Sequence, residues 1–143
     1  MTLDHVGLNV ADLDAMSEWY CAALKLDVEF EFALDAAAVG CDFRGAMLRS
    51  PDGWRLELLS RPGSRPGLQA ASPVEAALTR GFGHIALDVP DVDAAYDALT
   101  AAGAGDRMSP RPSPEPGVRM AYVADPEGNL VELLDRTTAG SPS

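Results

Sequence analysis

FGHIALDV at residues 82–89 has nearly the same design as LDHVGLNV at residues 3–10. Each stretch places one histidine in a run in which apolar residues alternate with other residues, the pattern of a half-buried β-strand. An acidic pair follows each stretch at the same distance and introduces a helical pattern: Asp12 and Asp14 in the first copy, Asp91 and Asp93 in the second. Either Asp12 or Asp14 can cap the first helix. The sequence therefore predicts one structural module that occurs twice.

A second repeated signature closes each module. SPDGWRLELL at residues 50–59 aligns position for position with DPEGNLVELL at residues 125–134. The Pro-x-Gly segment predicts a turn, since proline presets one backbone angle and glycine accepts a positive φ. The apolar run after it predicts a strand, and that strand carries Glu57 in the first copy and Glu132 in the second.

Between the two signatures, each copy is predicted to form one helix and two further strands. The fold class is thus α+β, with paired βαβββ modules. We predict a first module over residues 1–60, a linker with a short helix over 61–81, a second module over 82–136 and a frayed tail over 137–143. The linker helix is expected to begin at Ser72, which opens a capping box.

The sequence also predicts the form of three further segments. Alternation over residues 28–32 predicts a strand with one wet face. Residues 38–49 predict a strand that is broken by a bulge or turn at Arg44-Gly45. The four prolines within residues 108–117 predict a stiff surface loop in place of a regular strand, because proline cannot donate to a ladder.

Composition excludes several classes of protein. The net charge of −11 over 143 residues disfavours nucleic acid and anionic membranes as partners. Two cysteines, Cys21 and Cys41, are too few for a disulfide scaffold and are predicted to be reduced, buried thiols. The sequence shows neither a basic-then-apolar leader nor an apolar run long enough for a bilayer. We therefore expect a cytoplasmic protein.

The candidate site consists of His5, Glu57, His84 and Glu132. The chain has two histidines, and both occupy the repeated position. A carboxylate within a strand is costly unless it is paired or bound to a metal. Arg55, two residues from Glu57 on the same face, offers a structural ion pair as the alternative explanation. Two imidazoles and two carboxylates suit one divalent ion such as Zn, Ni, Co, Mn or Fe(II).

These residues resemble the vicinal oxygen chelate superfamily, which includes glyoxalase I, and the resemblance covers residues 2–135. Residues 81–92 and 124–134 are especially similar to glyoxalase I. The resemblance implies that the paired modules form a cupped mixed sheet around one divalent metal ion. It also implies a small-molecule substrate with vicinal oxygens, and we predict a homodimer.

The order His, Glu, His, Glu at the four positions is that of glyoxalase I. It implies a lyase or isomerase that stabilises an enediolate on the metal and moves a proton with a glutamate base. We assign the base to Glu132 and its counterpart to Glu57, with the reverse order as the alternative. Asn9 stands where the family's glutathione-binding arginine is expected, and residues 58–62 replace a segment expected after the second ligand. These departures put the glutathione substrate in doubt.

Other members of the superfamily supply the alternatives. Methylmalonyl-CoA epimerases usually carry Gln where this chain has Glu57. Ring-cleaving dioxygenases use a further acid–base histidine, and bleomycin-binding resistance proteins lack the metal ligands. The remaining pocket candidates are aromatic and arginine side chains that are equally compatible with core or surface positions: Tyr20, Arg44, Trp54, Arg119 and Tyr122.

Overall fold

A computed structural model describes residues 1–136. The chain packs as two compact units, the first covering Met1–Pro66 and the second beginning at Gly67. Each unit contains one mixed four-stranded sheet, and the two sheets have the same topology, β1-β4-β3-β2 and β5-β8-β7-β6. The predicted α+β class is confirmed.

In unit 1, the polar and apolar pattern produces six elements. They are β1 (Val6–Asn9), α1 (Leu13–Leu24), β2 (Asp27–Leu34), α2 (Ala36–Val39), β3 (Phe43–Arg49) and β4 (Arg55–Ser60). Of the two predicted caps of helix α1, the structure selects Asp12, whose carboxylate accepts a hydrogen bond from the backbone N–H of Ala15 at 3.0 Å, while Asp14 lies in the first turn. The four-residue helix α2 was not predicted; Asp35 caps it and Gly40 ends it with φ of 76°.

Unit 2 repeats this arrangement after its own short helix. Its elements are α3 (Pro73–Ala76), β5 (His84–Asp88), α4 (Val92–Ala101), β6 (Gly105–Pro112), β7 (Arg119–Ala124) and β8 (Leu130–Asp135). Asp91 caps α4 as Asp12 caps α1. Ser72 caps α3, which confirms the predicted start of this helix.

The long helix of each unit covers one face of its sheet. In unit 1, Met16 and Tyr20 of α1 are buried with Leu56 and Leu58 of β4 in one apolar cluster. In unit 2, α4 packs on β6, β7 and β8. Because side chains alternate along a strand, the residues between these buried positions point to the opposite face of the sheet.

Two strand predictions are wrong. The bulge lies in β2, between Val28 and Phe30, and β3 runs through Arg44-Gly45 without a break. Strand β6 extends to Pro112 and includes Pro110, so the predicted loop over residues 108–117 is wrong for residues 108–112, whereas residues 113–117 lie outside the strands. Both prolines fit because β6 is an edge strand and its pairing with β7 is interrupted by two irregularities.

The connecting residues pack onto unit 2. Leu68, Ala70 and Ala76 contact Ala124 and Leu130 at one end of the sheet, and the guanidinium of Arg107 donates to the Ala70 carbonyl at 3.0 Å. The domain boundaries drawn from the sequence stay a prediction. The predicted frayed tail, residues 137–143, lies outside the described residues.

Two smaller expectations concern the thiols and the membrane. Cys21 and Cys41 are free thiols, as expected, but both are partly exposed, so the prediction that they are buried is wrong. Across residues 1–136, none of the helices has the length and apolar character that crossing a bilayer requires.

Candidate functional site

The first half of the candidate site lies in unit 1, on the sheet face that α1 does not cover. His5 immediately precedes β1, and Gly7 pairs with Glu57 in the parallel β1–β4 ladder. His5 and Glu57 therefore share one face, with His5 Nε2 3.3 Å from the Glu57 carboxylate. The Glu57 side chain is 20% exposed, whereas Leu56 and Leu58 beside it are fully buried on the other face.

Unit 2 holds the second half in the same way. His84 opens β5, and Ala86 pairs with Glu132 in the parallel β5–β8 ladder. His84 Nε2 is 3.0 Å from the Glu132 carboxylate, whose side chain is 13% exposed. The sequence repeat thus produces two histidine–glutamate pairs with the same topology and nearly the same separation.

The turn before each glutamate strand fixes where that strand begins. Asp125 is buried, and its carboxylate accepts hydrogen bonds from the backbone N–H groups of Glu127 and Asn129, both at 2.9 Å. In unit 1, the Ser50 hydroxyl accepts one from the N–H of Trp54 at 3.1 Å. The glycine of each turn has φ near 94°, which glycine adopts without strain. The predicted turns are confirmed.

Each pair has the spacing of two ligands on one metal ion. Ligand atoms that each lie about 2.0–2.2 Å from a tetrahedral or octahedral ion are about 2.9–3.6 Å apart, and both measured separations fall within this interval. The nitrogen and oxygen donors suit a borderline divalent ion. Among residues 1–136, His, Cys, Asp and Glu side chains form no group of three or more that could hold a metal ion, so each unit offers two candidate ligands.

The histidine of unit 1 is held from behind by a carboxylate. His5 Nδ1 is 2.7 Å from the Asp4 carboxylate, a contact that directs Nε2 toward Glu57. This hydrogen bond is the main reason that the pKa of His5 is raised, and Glu57 raises it further. It likewise lowers the pKa of Asp4.

Arg55 does not pair with Glu57, so the structural ion pair considered as an alternative is wrong. Its guanidinium instead makes two hydrogen bonds to Glu29, at 2.7 and 2.8 Å. It also lies 3.6 Å from the Asp4 carboxylate. Glu29, Arg55 and Asp4 therefore form a chain of charges that ends at the His5 ring.

The candidate pair of unit 2 has an aromatic neighbour. Tyr122 of β7 lies directly opposite Glu132 of β8. The Tyr122 ring also meets the His84 ring edge to face, with centroids 5.2 Å apart. Burial, and secondly Glu132, raise the pKa of Tyr122 well above its ordinary range.

Comparison with known proteins identifies the family. Residues 2–133 match the family model described as Glyoxalase/Bleomycin resistance protein/Dioxygenase superfamily. The chain belongs to this superfamily. The resemblance inferred from the sequence motifs is thereby confirmed.

Individual members of the superfamily agree with this assignment. A probable lactoylglutathione lyase of Vibrio parahaemolyticus is 26% identical over 144 residues, covering 96% of this chain and 92% of the relative. A 2-epi-5-epi-valiolone epimerase of Actinomyces is 30% identical over 158 residues, covering 99% and 82%. The crystal structure of a glyoxalase family protein from Bacillus cereus shares the fold, with a TM-score of 0.75 at 24% identity and coverage of 94% and 93%.

The five remaining pocket candidates named from the sequence fall into three groups. Tyr20 and Trp54 belong to the core cluster of unit 1. Arg44 and Arg119 form salt bridges with Asp14 and Asp93, at the starts of α1 and α4. Of the five, only Tyr122 touches a candidate ligand in the described part of the chain.

Sequence reasoning missed the role of Asp4 and left Tyr122 undecided. Asp4 could have been found, because it directly precedes a candidate metal-binding histidine. Tyr122 stands ten residues before Glu132, as Met47 stands ten residues before Glu57, but the sequence spacing alone does not show how the two strands pair. In both sheets, this spacing places the two side chains opposite each other on neighbouring antiparallel strands.

Proposed function

We propose that this chain is a metal-dependent lyase or isomerase of the glyoxalase I type that acts on a small molecule with two adjacent oxygen atoms. The repeated histidine–glutamate pair is the observation that carries the proposal. Within each pair, the distance from the histidine Nε2 to the glutamate oxygen is that expected for two ligands of the same ion. An ion pair with Arg55 does not explain the position of Glu57, because Arg55 pairs with Glu29 and Asp4.

In this proposal, His5, Glu57, His84 and Glu132 hold one divalent ion: Zn, Ni, Co, Mn or Fe(II). The ion, when bound, supplies Lewis-acid stabilisation of negative charge that develops on the substrate oxygens. The protein residues orient the substrate and transfer its proton. The relatives named as lyase and epimerase support an enzyme of this general kind.

We assign the proton transfer to the glutamates. Glu132 takes a proton from the carbon beside the substrate carbonyl and returns it to the same or the neighbouring carbon, and Glu57 is its counterpart. Glu132 is the less exposed of the two, with 13% of its side chain accessible against 20% for Glu57. A partly buried carboxylate is shielded from water, which protects the proton in transit.

An epimerase is the second candidate function, because the Actinomyces relative is an epimerase and is 30% identical. Returning the proton to the same carbon from the other side inverts that centre, whereas delivery to the neighbouring carbon isomerises the substrate. Asn9, in place of the arginine expected for glutathione, favours substrates without that peptide. Hydroxyketones, hemithioacetals and 2-substituted acyl-CoA esters are the substrate classes to screen.

Metal reconstitution tests the proposal first. Protein stripped with a chelator is exposed in turn to each candidate ion, and bound metal is measured by elemental analysis. We expect about one ion per chain for the preferred metal. His5→Ala and His84→Ala should each lose it, because neutral imidazole is the stronger ligand for a borderline ion. Wild-type protein that takes up none of these ions contradicts the proposal.

The substrate screen then uses deuterium exchange in D₂O as its readout. A proton-transfer enzyme incorporates deuterium at the carbon beside the carbonyl, even where net conversion is slow. Oxygen consumption with Fe(II) identifies a ring-cleaving dioxygenase instead. Tight binding of a cationic drug by metal-free protein identifies a resistance protein.

We also propose a cytoplasmic homodimer, and subunit mixing examines how two copies share the ligands. His5→Ala protein is mixed with His84→Ala protein, and metal and turnover are measured. If the ligands come from two chains, mixed dimers regain one intact site, roughly a quarter of the wild-type activity for random exchange. If all four come from one chain, mixing restores nothing. A monomer by light scattering at micromolar concentration contradicts the dimer.

A further inference from the structure

A β-bulge interrupts one edge strand of each sheet at the equivalent residue. In unit 1 the pairing of β2 with β3 shifts around Glu29, which is the extra residue. In unit 2 the pairing of β6 with β7 shifts around Arg107. The residue after each bulge pairs with an equivalent residue, Met47 or Tyr122. Bulges redirect a side chain and are frequent beside functional sites, so the contacts of these two residues indicate what each bulge holds.

Glu29 binds arginines of the two strands beside it. Its carboxylate accepts two hydrogen bonds from Arg55 of β4, from Nε at 2.7 Å and from Nη2 at 2.8 Å. This fork fixes both groups more firmly than a single contact would. Arg49 of β3 donates a further hydrogen bond at 3.3 Å. The side chains of Glu29 and Arg55 are 26% and 30% exposed, so the fork is partly shielded from solvent.

The third nitrogen of Arg55 extends these contacts to His5. Nη1 lies 3.6 Å from Oδ2 of Asp4, and Oδ1 of Asp4 lies 2.7 Å from His5 Nδ1. The other nitrogen of the ring, Nε2, lies 3.3 Å from the Glu57 carboxylate. Each contact uses a different atom, so all of them are formed together. The contacts therefore cross the sheet of unit 1, from its edge strand β2 to the histidine that precedes β1.

The contact with Asp4 determines which nitrogen of a neutral His5 ring carries the hydrogen. An ionised carboxylate only accepts hydrogen bonds, so the hydrogen must be on Nδ1. That tautomer leaves the lone pair of Nε2 free for an ion, whereas a hydrogen on Nε2, directed at Glu57, blocks it. Asp4 is exposed on 71% of its side chain. Such a carboxylate samples several rotamers unless a partner restrains it, and Arg55 is the partner on its second oxygen.

We propose that Glu29, the bulge residue of β2, is a positioning residue for the metal-binding histidine of unit 1. By holding Arg55 in the fork, it keeps the Asp4 carboxylate on Nδ1 and Nε2 of His5 available to the ion. The inference rests on the proposed function for the role of His5, and it goes beyond it by assigning a purpose to the bulge. Outer partners of a ligating histidine fix its tautomer and its ring orientation.

The described part of unit 2 has the same bulge but different contacts around it. Arg107 donates to the Ala70 carbonyl at 3.0 Å, so this bulge holds the connecting residues. Gly83 precedes His84, and Leu130 occupies the position of the arginine that forms the fork in unit 1. Neither residue offers a charged group to the ring. His84 is therefore an internal control for any change made in the contacts of unit 1.

Glu29→Gln tests the proposal, because it keeps the size of the side chain and removes the charge from the fork. Glu31→Gln is the matched control: it is the same change in the same strand, opposite Ala46 in the regular part of the ladder. The ¹⁵N shifts of the histidine rings are recorded on metal-free protein at about pH 9.5, where such rings are neutral. We expect Nδ1–H for His5 in wild type and the control, and a mixture of tautomers in Glu29→Gln.

A second variant keeps this measurement decisive. Arg55→Met retains the apolar stem of the side chain and removes both contacts of the guanidinium, so it should change the His5 tautomer more than Glu29→Gln does. The ring shifts of His84 should stay the same in every variant. A His5 ring that keeps its wild-type tautomer in both Glu29→Gln and Arg55→Met overturns the proposal, as does a wild-type ring with its hydrogen on Nε2.

Metal affinity shows whether Glu29 acts through Asp4. Glu29→Gln should bind the preferred ion roughly 3–10-fold more weakly, less than the loss of about 10–100-fold for a direct partner of a ligand. Adding Glu29→Gln to Asp4→Ala should cause no further loss, whereas two losses that multiply overturn the proposal. If wild type binds no metal but the tautomer changes as expected, the proposed function fails while the positioning role stands. If wild type binds metal and the tautomer does not change, this inference alone fails.

Discussion

Units 1 and 2 present the same histidine–glutamate pair in different surroundings. In unit 1 the histidine is supported, through Asp4 and the Arg55–Glu29 pair behind it. In unit 2, Tyr122 lies opposite the glutamate on the neighbouring strand, and its ring meets the ring of His84. The repeated sequence thus determines which candidate ligands each unit presents, and residues outside the repeat determine what surrounds them.

The residues at the far end of the same sheet face also differ. Arg55 in unit 1 carries charge and is 30% exposed on its side chain. Leu130, its equivalent in unit 2, is buried against Ala70, Ala76 and Ala124. One unit therefore ends in a hydrated ion-pair network and the other in an apolar cluster. Such divergence is tolerated because neither position takes part in the packing under the helix.

The largest expected effect distinguishes the two glutamates. Glu132→Gln keeps an oxygen ligand of nearly the same shape but removes the base, so much of the metal should stay bound. Turnover should fall by roughly 10²–10⁴-fold, the usual contribution of a positioned acid–base group. Glu57→Gln should be milder. Turnover and deuterium exchange, measured at full metal loading, provide the comparison.

Two outcomes would change this assignment. A larger loss in Glu57→Gln than in Glu132→Gln reverses the roles of the two units. Full metal and full turnover in both variants mean that neither glutamate moves a proton, which leaves a dioxygenase or a binding protein.

The second prediction concerns the apolar end of unit 2. Leu130→Ala should reduce the free energy of unfolding by about 2–5 kcal/mol, because a buried leucine leaves a cavity that its small neighbours cannot fill. Amide hydrogen exchange should rise in residues 67–77, which pack on this position. Arg55→Ala, the same site in unit 1, should leave exchange in unit 1's core unchanged. Equal exchange of residues 67–77 in Leu130→Ala and wild type contradicts the prediction.

Sequence patterns predicted the features that are local and repeated. The acidic pairs at the helix starts, one member of which caps each helix, and the Pro-x-Gly turns depend on spacing within one segment. The same reasoning failed where a contact depends on how two strands pair. A strict alternation would place Glu29 on one face of β2 with Asp27 and Glu31. The bulge between Val28 and Phe30 instead shifts the pairing of β2 with β3, and Glu29 binds Arg55.

The same limit explains why β6 was mistaken for a loop and why Tyr122 stayed undecided. Prolines are tolerated in β6 because it lies at the sheet edge, and edge position is a property of the whole sheet. Tyr122 and Glu132 are neighbours only because β7 and β8 pair in one register. A pattern within one segment of the sequence shows neither which strand lies at the edge of a sheet nor how two strands pair.

The third prediction tests the support of the histidine in unit 1. Asp4→Ala removes the acceptor of His5 Nδ1 and should weaken metal binding by about 10–100-fold. Asp14→Ala is the control, since Asp14 is an exposed carboxylate of the same unit whose partner is Arg44. Titration of the chelated protein with its preferred ion measures both. Asp4→Ala with wild-type affinity contradicts the role assigned to Asp4.

Unit 2 allows the converse experiment. Gly83 occupies the position of Asp4, and a Cβ atom added there meets no heavy atom within 4 Å. Gly83→Asp should therefore place a carboxylate beside His84 and partly restore the affinity lost in Asp4→Ala. Failure to restore it, with folding intact, contradicts the prediction.

The smallest expected effect belongs to a feature that the two units share. Asp14 pairs with Arg44 at 2.9 Å, and Asp93 bonds to Arg119 at 2.8 Å, so each ties the first turn of its helix to the sheet. All four side chains are well exposed, and solvent screens such pairs strongly. Arg44→Ala and Arg119→Ala should each lower the thermal midpoint slightly and by similar amounts.

The pH and salt dependence of this decrease in thermal midpoint shows whether the arginine–aspartate pairs act by electrostatic attraction. The arginine hydrogen bond is the main reason that the pKa of each aspartate is lowered. Because the folded-state pKa lies below the unfolded one, the stabilisation is present above the ordinary carboxyl pKa and is lost as pH falls through the lowered value. Thermal midpoints of wild type and variants should therefore converge in strong acid and at high salt. A difference that persists in 1 M salt shows that the arginine stems contribute by packing, and that this shared feature is not electrostatic.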